Sequence, residues 1–277
     1  AQASAGRINE VLLTEPSITD PKEPQKDSGL RGYVEFQNVT FRYAGAEKPV
    51  LEDISFKAKP GETTAIIGST GAGKTTILQL IPRFFDIEKG TVLVNGTDVR
   101  KMAQKELRAK IGYVPQKASI FSGTIKDNIR FGKEDATDEE ILEALETAQA
   151  AEFVEGKENG IESEIEQAGA NLSGGQKQRL SIARALVRKP EIYLFDDSFS
   201  ALDYKTDQKL RKALKKTTAD AAVIIVAQRV STITDADQII VLNEGKIAGI
   251  GTHQQLLAEN GIYQEIVASQ QAEEESA

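Results

Sequence analysis

Two kinds of hydrophobic spacing alternate along the chain, and together they predict an α/β fold. Apolar residues at every second position begin near residue 32, and Thr64–Ile67 is a short continuous apolar run. Both patterns are typical of strands. The next segment has helical spacing at Ile77, Leu80 and Ile81 and ends at the proline that follows. We therefore expect a β-rich section up to about residue 67, followed by a helix.

The second half of the chain repeats the change from helix to strand. Residues 137–155 have helical spacing behind a capping box at Thr137 and Glu140, and Gln176–Arg188 predicts another helix. Residues 191–196 and 222–227 are apolar and rich in β-branched or aromatic side chains. Continuous apolar strands separated by helices indicate a mostly parallel sheet that is buried on both faces.

The two ends of the chain differ from this pattern. Residues 1–31 contain a short helical segment and then three prolines among polar residues, so we interpret them as a linker. Residues 268–277 form an acidic tail that we expect to be disordered. The folded domain is therefore expected to span residues 32–267.

Composition excludes several classes of protein. The 277 residues include one histidine, one methionine, no cysteine and no tryptophan. Thiol chemistry is thus absent, and His253 alone, which we expect to cap or pack at the final helix, cannot form a multi-histidine metal site. The net charge of −8 argues against a nucleic-acid partner. Because residue 1 is Ala and the one methionine is Met102, we interpret the chain as processed or excised from a longer one.

A phosphate-binding loop is the clearest chemical motif. It fits the pattern G-x-x-x-x-G-K-[ST], in which glycines let backbone N–H groups approach a phosphate. Lys74 would contact the β- and γ-phosphates, Thr75 would ligate Mg²⁺, and Asp196, at the end of an apolar strand, would hold Mg²⁺ from the opposite side. The predicted nucleotide-binding residues of this segment are Gly68, Ser69, Thr70, Gly71, Ala72, Gly73, Lys74, Thr75 and Thr76.

A second motif, LSGGQ at residues 172–176, indicates the family. Ser173 can cap a helix that begins at the glycines, and a helix N-terminus with a hydroxyl group is an anion site. Together with the phosphate loop, this motif resembles the nucleotide-binding domain of ATP-binding cassette (ABC) proteins over about residues 32–267. The resemblance implies the fold of a P-loop NTPase, with an N-terminal antiparallel β subdomain and a helical subdomain at about 117–180 that carries the signature.

The resemblance also implies roles, cofactors and partners. Tyr43 would stack on adenine, Gln116 would touch Mg²⁺ and face the transmembrane domain, and Asp203 would lie in a loop at a dimer interface. ATP and Mg²⁺ are the implied cofactors, held in a head-to-tail dimer where each ATP faces the partner's signature. The signature residues that would contact it are Ser173, Gly174, Gly175 and Gln176. Residues 120–129 and the GTHQQLL segment look like the exporter branch, so we expect a multidrug-type half-transporter at the cytoplasmic face of the cell membrane, with residues 1–31 leading from its transmembrane domain.

Two positions depart from the family pattern. Asp197 stands where active members have the glutamate taken as general base, and Gln228 stands where they have a histidine at the γ-phosphate. Aspartate reaches about 1.5 Å less far than glutamate, and a misplacement of about 1 Å can cost on the order of 100-fold in rate. Glutamine cannot shuttle a proton. Together with Lys74 these residues make up the expected catalytic set.

These departures support one leading hypothesis and leave three alternatives open. The leading hypothesis is the degenerate-site subunit of a heterodimeric exporter, which binds ATP, hydrolyses it slowly and supplies its intact signature to the partner's site. The first alternative is a competent homodimeric ABC ATPase. The second is a nucleotide-dependent dimerisation switch that hardly cleaves ATP. The third is a soluble ABC ATPase of DNA repair or translation, which the acidic charge disfavours.

Overall fold

The computed structural model describes residues 2–26 and 28–275. Its strands are β1 (Val34–Phe41), β2 (Leu51–Ala58), β3 (Thr63–Gly68), β4 (Lys89–Val94), β5 (Thr97–Asp98), β6 (Ile111–Val114), β7 (Gly123–Thr124), β8 (Glu164–Ile165), β9 (Ile192–Asp196), β10 (Ala222–Val226), β11 (Gln238–Asn243) and β12 (Lys246–Gly251). Its α-helices are α1 (Gln2–Leu13), α2 (Lys74–Leu80), α3 (Gln104–Ala109), α4 (Ile125–Arg130), α5 (Asp138–Thr147), α6 (Ala151–Glu155), α7 (Gly174–Leu186), α8 (Tyr204–Thr217), α9 (His253–Glu259) and α10 (Gly261–Glu275). Short 3₁₀ turns lie at Val99–Lys101, Gly160–Glu162, Gln167–Gly169 and Val230–Thr232.

Within these described residues the strands form three sheets. The central sheet has the order β12-β11-β3-β10-β9-β6, and all its pairs are parallel except β11 with β12. An antiparallel sheet, β2-β1-β4-β5, comes from the N-terminal part of the chain, and β7 pairs with β8. The α/β class, the parallel core and the antiparallel β subdomain are thus confirmed. Parallel strands end at one edge of the sheet, where ligand sites form in such folds.

The central sheet is buried on both faces, which explains its continuous apolar strands. Side chains alternate along each strand, so Val223 and Ile225 enter one hydrophobic core while Ile224 and Val226 enter the other. The first core lies under α4–α8, and the second lies between the sheet, α2 and the antiparallel β subdomain. The two cores hold the edge of the sheet, and the loops on it, in fixed positions.

The helical region differs in detail from the predicted spans. Residues 137–155 form two helices rather than one, because Gln149 adopts a left-handed φ of 56° between α5 and α6. The capping box at Thr137 and Glu140 is present as predicted. Helix α7 begins at Gly174 with Ser173 as its cap, as the LSGGQ motif indicated, two residues before the span that hydrophobic spacing alone predicted. Helix α7 packs against α4 and α5, so the signature is carried by a helical layer.

Both ends of the chain contact the domain. Residues 14–26 and 28–33 lack regular structure, as expected of a linker, but Gln25 N–H donates to Lys101 O at 2.8 Å and the Ser28 hydroxyl donates to Asn95 O at 2.6 Å. The expectation of a disordered tail is wrong for residues 268–275, which continue α10; residues 276–277 lie outside the described residues. The apolar contacts of Ile266 and Val267 with the core explain why the helix persists. Among the described helices, none combines the length and the apolar character that crossing a bilayer requires.

Candidate nucleotide site

The phosphate loop connects the end of β3 to the start of α2. Gly73 caps α2 with a left-handed φ of 98°, and as a glycine it has no side chain to cover the backbone N–H groups at the helix N-terminus. A Cβ at Gly73 would lie 2.7 Å from Leu51 Cδ2 and 3.2 Å from Val50 O, and the left-handed φ would strain any other residue there. Ser69, Thr70 and Gly71 on the rim are exposed, whereas Ala72 and Thr76 beneath them are buried. The loop therefore offers its backbone to solvent on one side.

Lys74 curls back over this loop. Its ammonium group donates to Gly68 O at 2.8 Å and to Ser69 O at 2.9 Å. Burial lowers the pKa of Lys74, while the negative charges of Asp197 and Asp196 oppose that shift. The cation is thus held at the mouth of the loop, where the negative charges of both carboxylates act on it.

Asp196 and Thr75 meet across the strand edge. The Thr75 hydroxyl donates to Asp196 Oδ1 at 2.8 Å, although 121 residues separate them in the chain. The Tyr113 hydroxyl donates to Asp196 Oδ2 at 3.2 Å. Burial raises the pKa of Asp196, which is only 3 % exposed, and the hydrogen bonds from Thr75 and Tyr113 oppose the rise. A hydroxyl beside a buried carboxylate provides hard oxygen ligands of the kind that Mg²⁺ prefers.

Asp197 lies next to this pair, in contact with two amides. Gln116 Nε2 donates to Asp197 Oδ2 at 2.9 Å, and Gln228 Nε2 donates to the same oxygen at 2.7 Å. Burial raises the pKa of Asp197, and the hydrogen bond from Gln116 opposes this most strongly. The residue has a left-handed φ of 47°, and its N–H donates to Val226 O at 2.9 Å. Aspartate tolerates this backbone region better than most residues.

Tyr43 stands beside α2, on the β-subdomain side of the loop. Its hydroxyl lies 3.0 Å from Thr76 Oγ1 and donates to Gln79 Oε1 at 3.3 Å. Its ring packs edge-on against Phe41 and Phe85 and is half-buried. This contact holds an aromatic ring next to the helix that follows the phosphate loop.

The signature residues form a separate group at the start of α7. Ser173 Oγ accepts from Gln176 N–H at 3.3 Å, and Gln176 Oε1 accepts from Ser173 N–H at 2.9 Å, so these bonds close on the helix itself. A Cβ at Gly174 would point into open space among the described residues, whereas one at Gly175 would meet Ala201 O at 3.2 Å. The signature therefore faces outward and rests on the loop that ends at Asp203.

The structure brings five of the predicted residues together in two neighbouring hydrogen-bonded groups. Thr75 is bonded to Asp196, and Gln116 and Gln228 are both bonded to Asp197, the next residue in the chain. The side chains of the Ser173–Gln176 motif bond within their own helix start. Asp203, predicted at an interface, accepts from Thr206 N–H at 3.0 Å as the cap of α8.

Two contacts of this site have no counterpart in the sequence predictions. Tyr113 was missed as a partner of Asp196, although β6 and β9 are parallel neighbours whose ends share one edge. The available signal was a tyrosine three residues before Gln116, in a segment for which no strand was predicted. The Ser200 hydroxyl donates to Asp197 O at 2.9 Å, a contact with no sequence signal that we identify.

The site fits ATP and Mg²⁺ by the nature of its groups. The loop is open at its rim, a Cβ would clash at Gly68 and at Gly73 though not at Gly71, and Lys74 lies at its mouth. Thr75 and Asp196 provide a hydroxyl and a carboxylate, and the amide oxygen of Gln116 remains free of the bond that its nitrogen makes with Asp197. A phosphate loop after β3, with its threonine joined to a carboxylate on β9, defines a P-loop NTPase domain, and the capped LSGGQ helix is carried separately on the helical layer.

Comparison with known proteins identifies the family. The family model described as "ABC transporter" matches residues 51–200, and the chain belongs to the ABC transporter family. It is 48 % identical over 274 residues to an uncharacterized ABC transporter ATP-binding protein of Mycobacterium tuberculosis, covering 98 % of this chain and 47 % of that protein. It is 40 % identical to an ATP-dependent lipid A-core flippase of Desulfotalea psychrophila, covering 95 % and 46 %.

A solved structure agrees with the sequence relatives. A bacterial Atm1-family ABC exporter with ATP bound superposes with a TM-score of 0.91 at 36 % identity, covering 97 % of this chain and 47 % of that one. The chain thus spans about half the length of the relatives it matches. The family and the fold agree with the resemblance that the motifs indicated.

Proposed function

We propose that this chain is the ATP-binding domain of a heterodimeric ABC exporter. It binds Mg-ATP at a site that hydrolyses it slowly and supplies its signature to the competent site of a different half-transporter. A transmembrane domain of its own parent chain would hold it at the cytoplasmic face of the membrane. The observation that carries the proposal is the Asp197 carboxylate, one of whose oxygens is taken by two amides.

Nucleotide binding follows from groups that are complete in this chain. Lys74 and the N-terminus of α2 would hold the phosphates, and Tyr43 would pack against the base. Thr75, Asp196 and Gln116 would hold Mg²⁺, which when bound neutralises phosphate charge. The Thr75 hydroxyl and the Asp196 carboxylate already lie 2.8 Å apart, so both groups would be available to the same ion.

We expect slow hydrolysis because the Asp197 side chain is short and one of its oxygens already accepts two hydrogen bonds. The pKa of Asp197 is not the cause. Burial raises the pKa of Asp197, which by itself favours its action as a base. However, Oδ2 already accepts from Gln116 and Gln228, so only Oδ1 remains for a water molecule. The side chain is also about 1.5 Å shorter than glutamate. Gln228 can donate a hydrogen bond to phosphate but cannot accept and return a proton.

The signature supports a role at a second nucleotide. Ser173 accepts from Gln176 N–H through its oxygen, which leaves the hydroxyl proton free to donate to an anion. Gly174 faces open space, so the helix N-terminus can approach a ligand closely. Because this motif is not bonded to the phosphate loop of its own chain, a partner's ATP is the ligand that it suits.

ATP turnover tests the proposal directly. We would compare the chain with Asp197→Glu, Gln228→His and the double variant, each assayed for Mg-dependent ATP binding and for phosphate release. All four proteins should bind ATP, and the double variant should release phosphate about 100-fold faster than the parent. Adding Lys74→Ala to the double variant should remove the gain, which would locate the gain at this site.

The other outcomes separate the alternatives. Equal turnover by the parent and the double variant would show a competent ATPase, and ATP-dependent self-dimers of the parent with turnover would identify a homodimer. An ATP-held dimer that turns over in none of the variants would identify a dimerisation switch.

A further inference from the structure

The C-terminal helix contacts the backbone of the nucleotide-site loop through one side chain. Gln270 Nε2 donates to Gln228 O at 2.6 Å, and Val230 N–H donates to Gln270 Oε1 at 2.7 Å. The side-chain amide of Gln270 therefore forms hydrogen bonds with the main chain on both sides of Arg229. Gln270 lies in the segment that the sequence alone indicates as a disordered acidic tail.

The helix that carries Gln270 is itself anchored in the core. Tyr263 is fully buried, and its hydroxyl lies 2.8 Å from His253 Nδ1. Ile266 packs against the same core, and Gln270 follows Tyr263 by seven residues, which places all three on one face of α10. The contact with His253 also confirms that the single histidine of the chain has a packing role. The amide of Gln270 is thus aimed by a fixed helix face.

The loop that Gln270 grips leads directly to the site. Gln228 reaches Asp197 Oδ2 at 2.7 Å, and the neighbouring Arg229 charge acts on Asp197 as well. Val230 is the first residue of the 3₁₀ turn Val230–Thr232, so its N–H has no hydrogen-bond acceptor within that turn. Gln270 supplies the acceptor from outside the loop.

We propose that Gln270 is a positioning residue of the nucleotide site, which fixes the backbone of residues 228–230 so that the Gln228 side chain reaches Asp197 and the γ-phosphate. The contact of Gln228 with the γ-phosphate rests on the function proposed above. The hydrogen bonds from Gln270 to the loop backbone do not depend on that function. Displacement of α10 would free the loop, so the C-terminal helix controls how the site senses ATP against ADP. Gln270 itself touches no nucleotide.

A substitution that keeps the helix but removes both bonds tests this role. Gln270→Met retains a long unbranched side chain with high helix propensity, and Gln271→Met, at the exposed next position, is the matched control. Hydrogen exchange of the nucleotide-free chain should be about two- to tenfold faster at the Val230 amide in Gln270→Met, given the usual worth of one hydrogen bond. The control should exchange like the parent.

Nucleotide affinity distinguishes positioning from a merely structural role. Gln270→Met should bind ATP about three- to tenfold more weakly, because the hydrogen bond from Gln228 to the charged γ-phosphate is partly lost. It should bind ADP as the parent does. Unchanged exchange at Val230, or equal losses for ATP and ADP, would overturn the proposal. A parent chain that binds no ATP would instead refute the proposed function, and the exchange experiment would still decide whether Gln270 grips the loop.

Discussion

Gly68 is the position where one methyl group should damage both the fold and the site. It ends β3, pairs in register with Leu242 of β11 and begins the phosphate loop. A Cβ there would lie 2.0 Å from Leu242 O, whereas real Cβ atoms do not approach closer than 3.0 Å. The obstructing atom belongs to the backbone of a central strand, so it cannot rotate away as a flexible side chain would.

In Gly68→Ala, the loop and β11 must therefore separate by at least about 1 Å. Overpacking of this kind costs about 1–3 kcal/mol, and the weakened strand pairing adds about 1 kcal/mol. At about 2–4 °C per kcal/mol, the melting temperature should fall by roughly 4–16 °C. The loop shift should also weaken ATP binding at least about tenfold, because hydrogen bonds to charged groups are sensitive to such distances.

Thermal unfolding and ATP titration of Gly68→Ala measure both effects. Gly261→Ala is the control, since a Cβ at that exposed helix position meets open space among the described residues. A Gly68→Ala variant that melts within about 1 °C of the parent and keeps its ATP affinity would contradict the predicted clash with Leu242 O.

Two further predictions concern charge and capping. Because burial raises the pKa of Asp196 above its ordinary 3.8, the folded chain binds that proton more tightly than the unfolded chain. Stability contributed by this group is therefore lost as pH rises from 3.8 through the folded pKa. Asp196→Asn should melt at a higher temperature than the parent at pH 7 and at the same temperature in acid. It should also lose Mg-dependent ATP binding. Thermal melts across pH check this, and an asparagine variant less stable than the parent at pH 7 would contradict it. Ser173→Ala removes the cap of α7 and should cost about 1 kcal/mol, whereas Ser173→Asp should stay within a few tenths. Urea unfolding measures both variants, and equal stability of all three proteins would show that the cap contributes nothing.

Local patterns predicted most of the fold because they act over a few residues. The capping box at Thr137 and the cap at Ser173 each involve a residue three positions away, and both form as the sequence indicated. The strand spacing of β1 and the helical spacing of α2 likewise depend on neighbours in the chain. Where the predictions were wrong, as at Gln149 and in α10, a left-handed residue and contacts with the distant core decided the outcome.

The sequence by itself determined which chemical groups the site contains: a phosphate loop, a carboxylate at the end of an apolar strand, an LSGGQ helix, and an Asp and a Gln at the two places where the family pattern has Glu and His. Tertiary structure alone decided how those groups meet. Gln116 and Gln228 reach one oxygen of Asp197 from 81 and 31 residues away, and Gln270 holds the loop of Gln228 from a further 42. Such contacts depend on the order of the strands and on how the final helix docks, and spacing along the chain encodes neither.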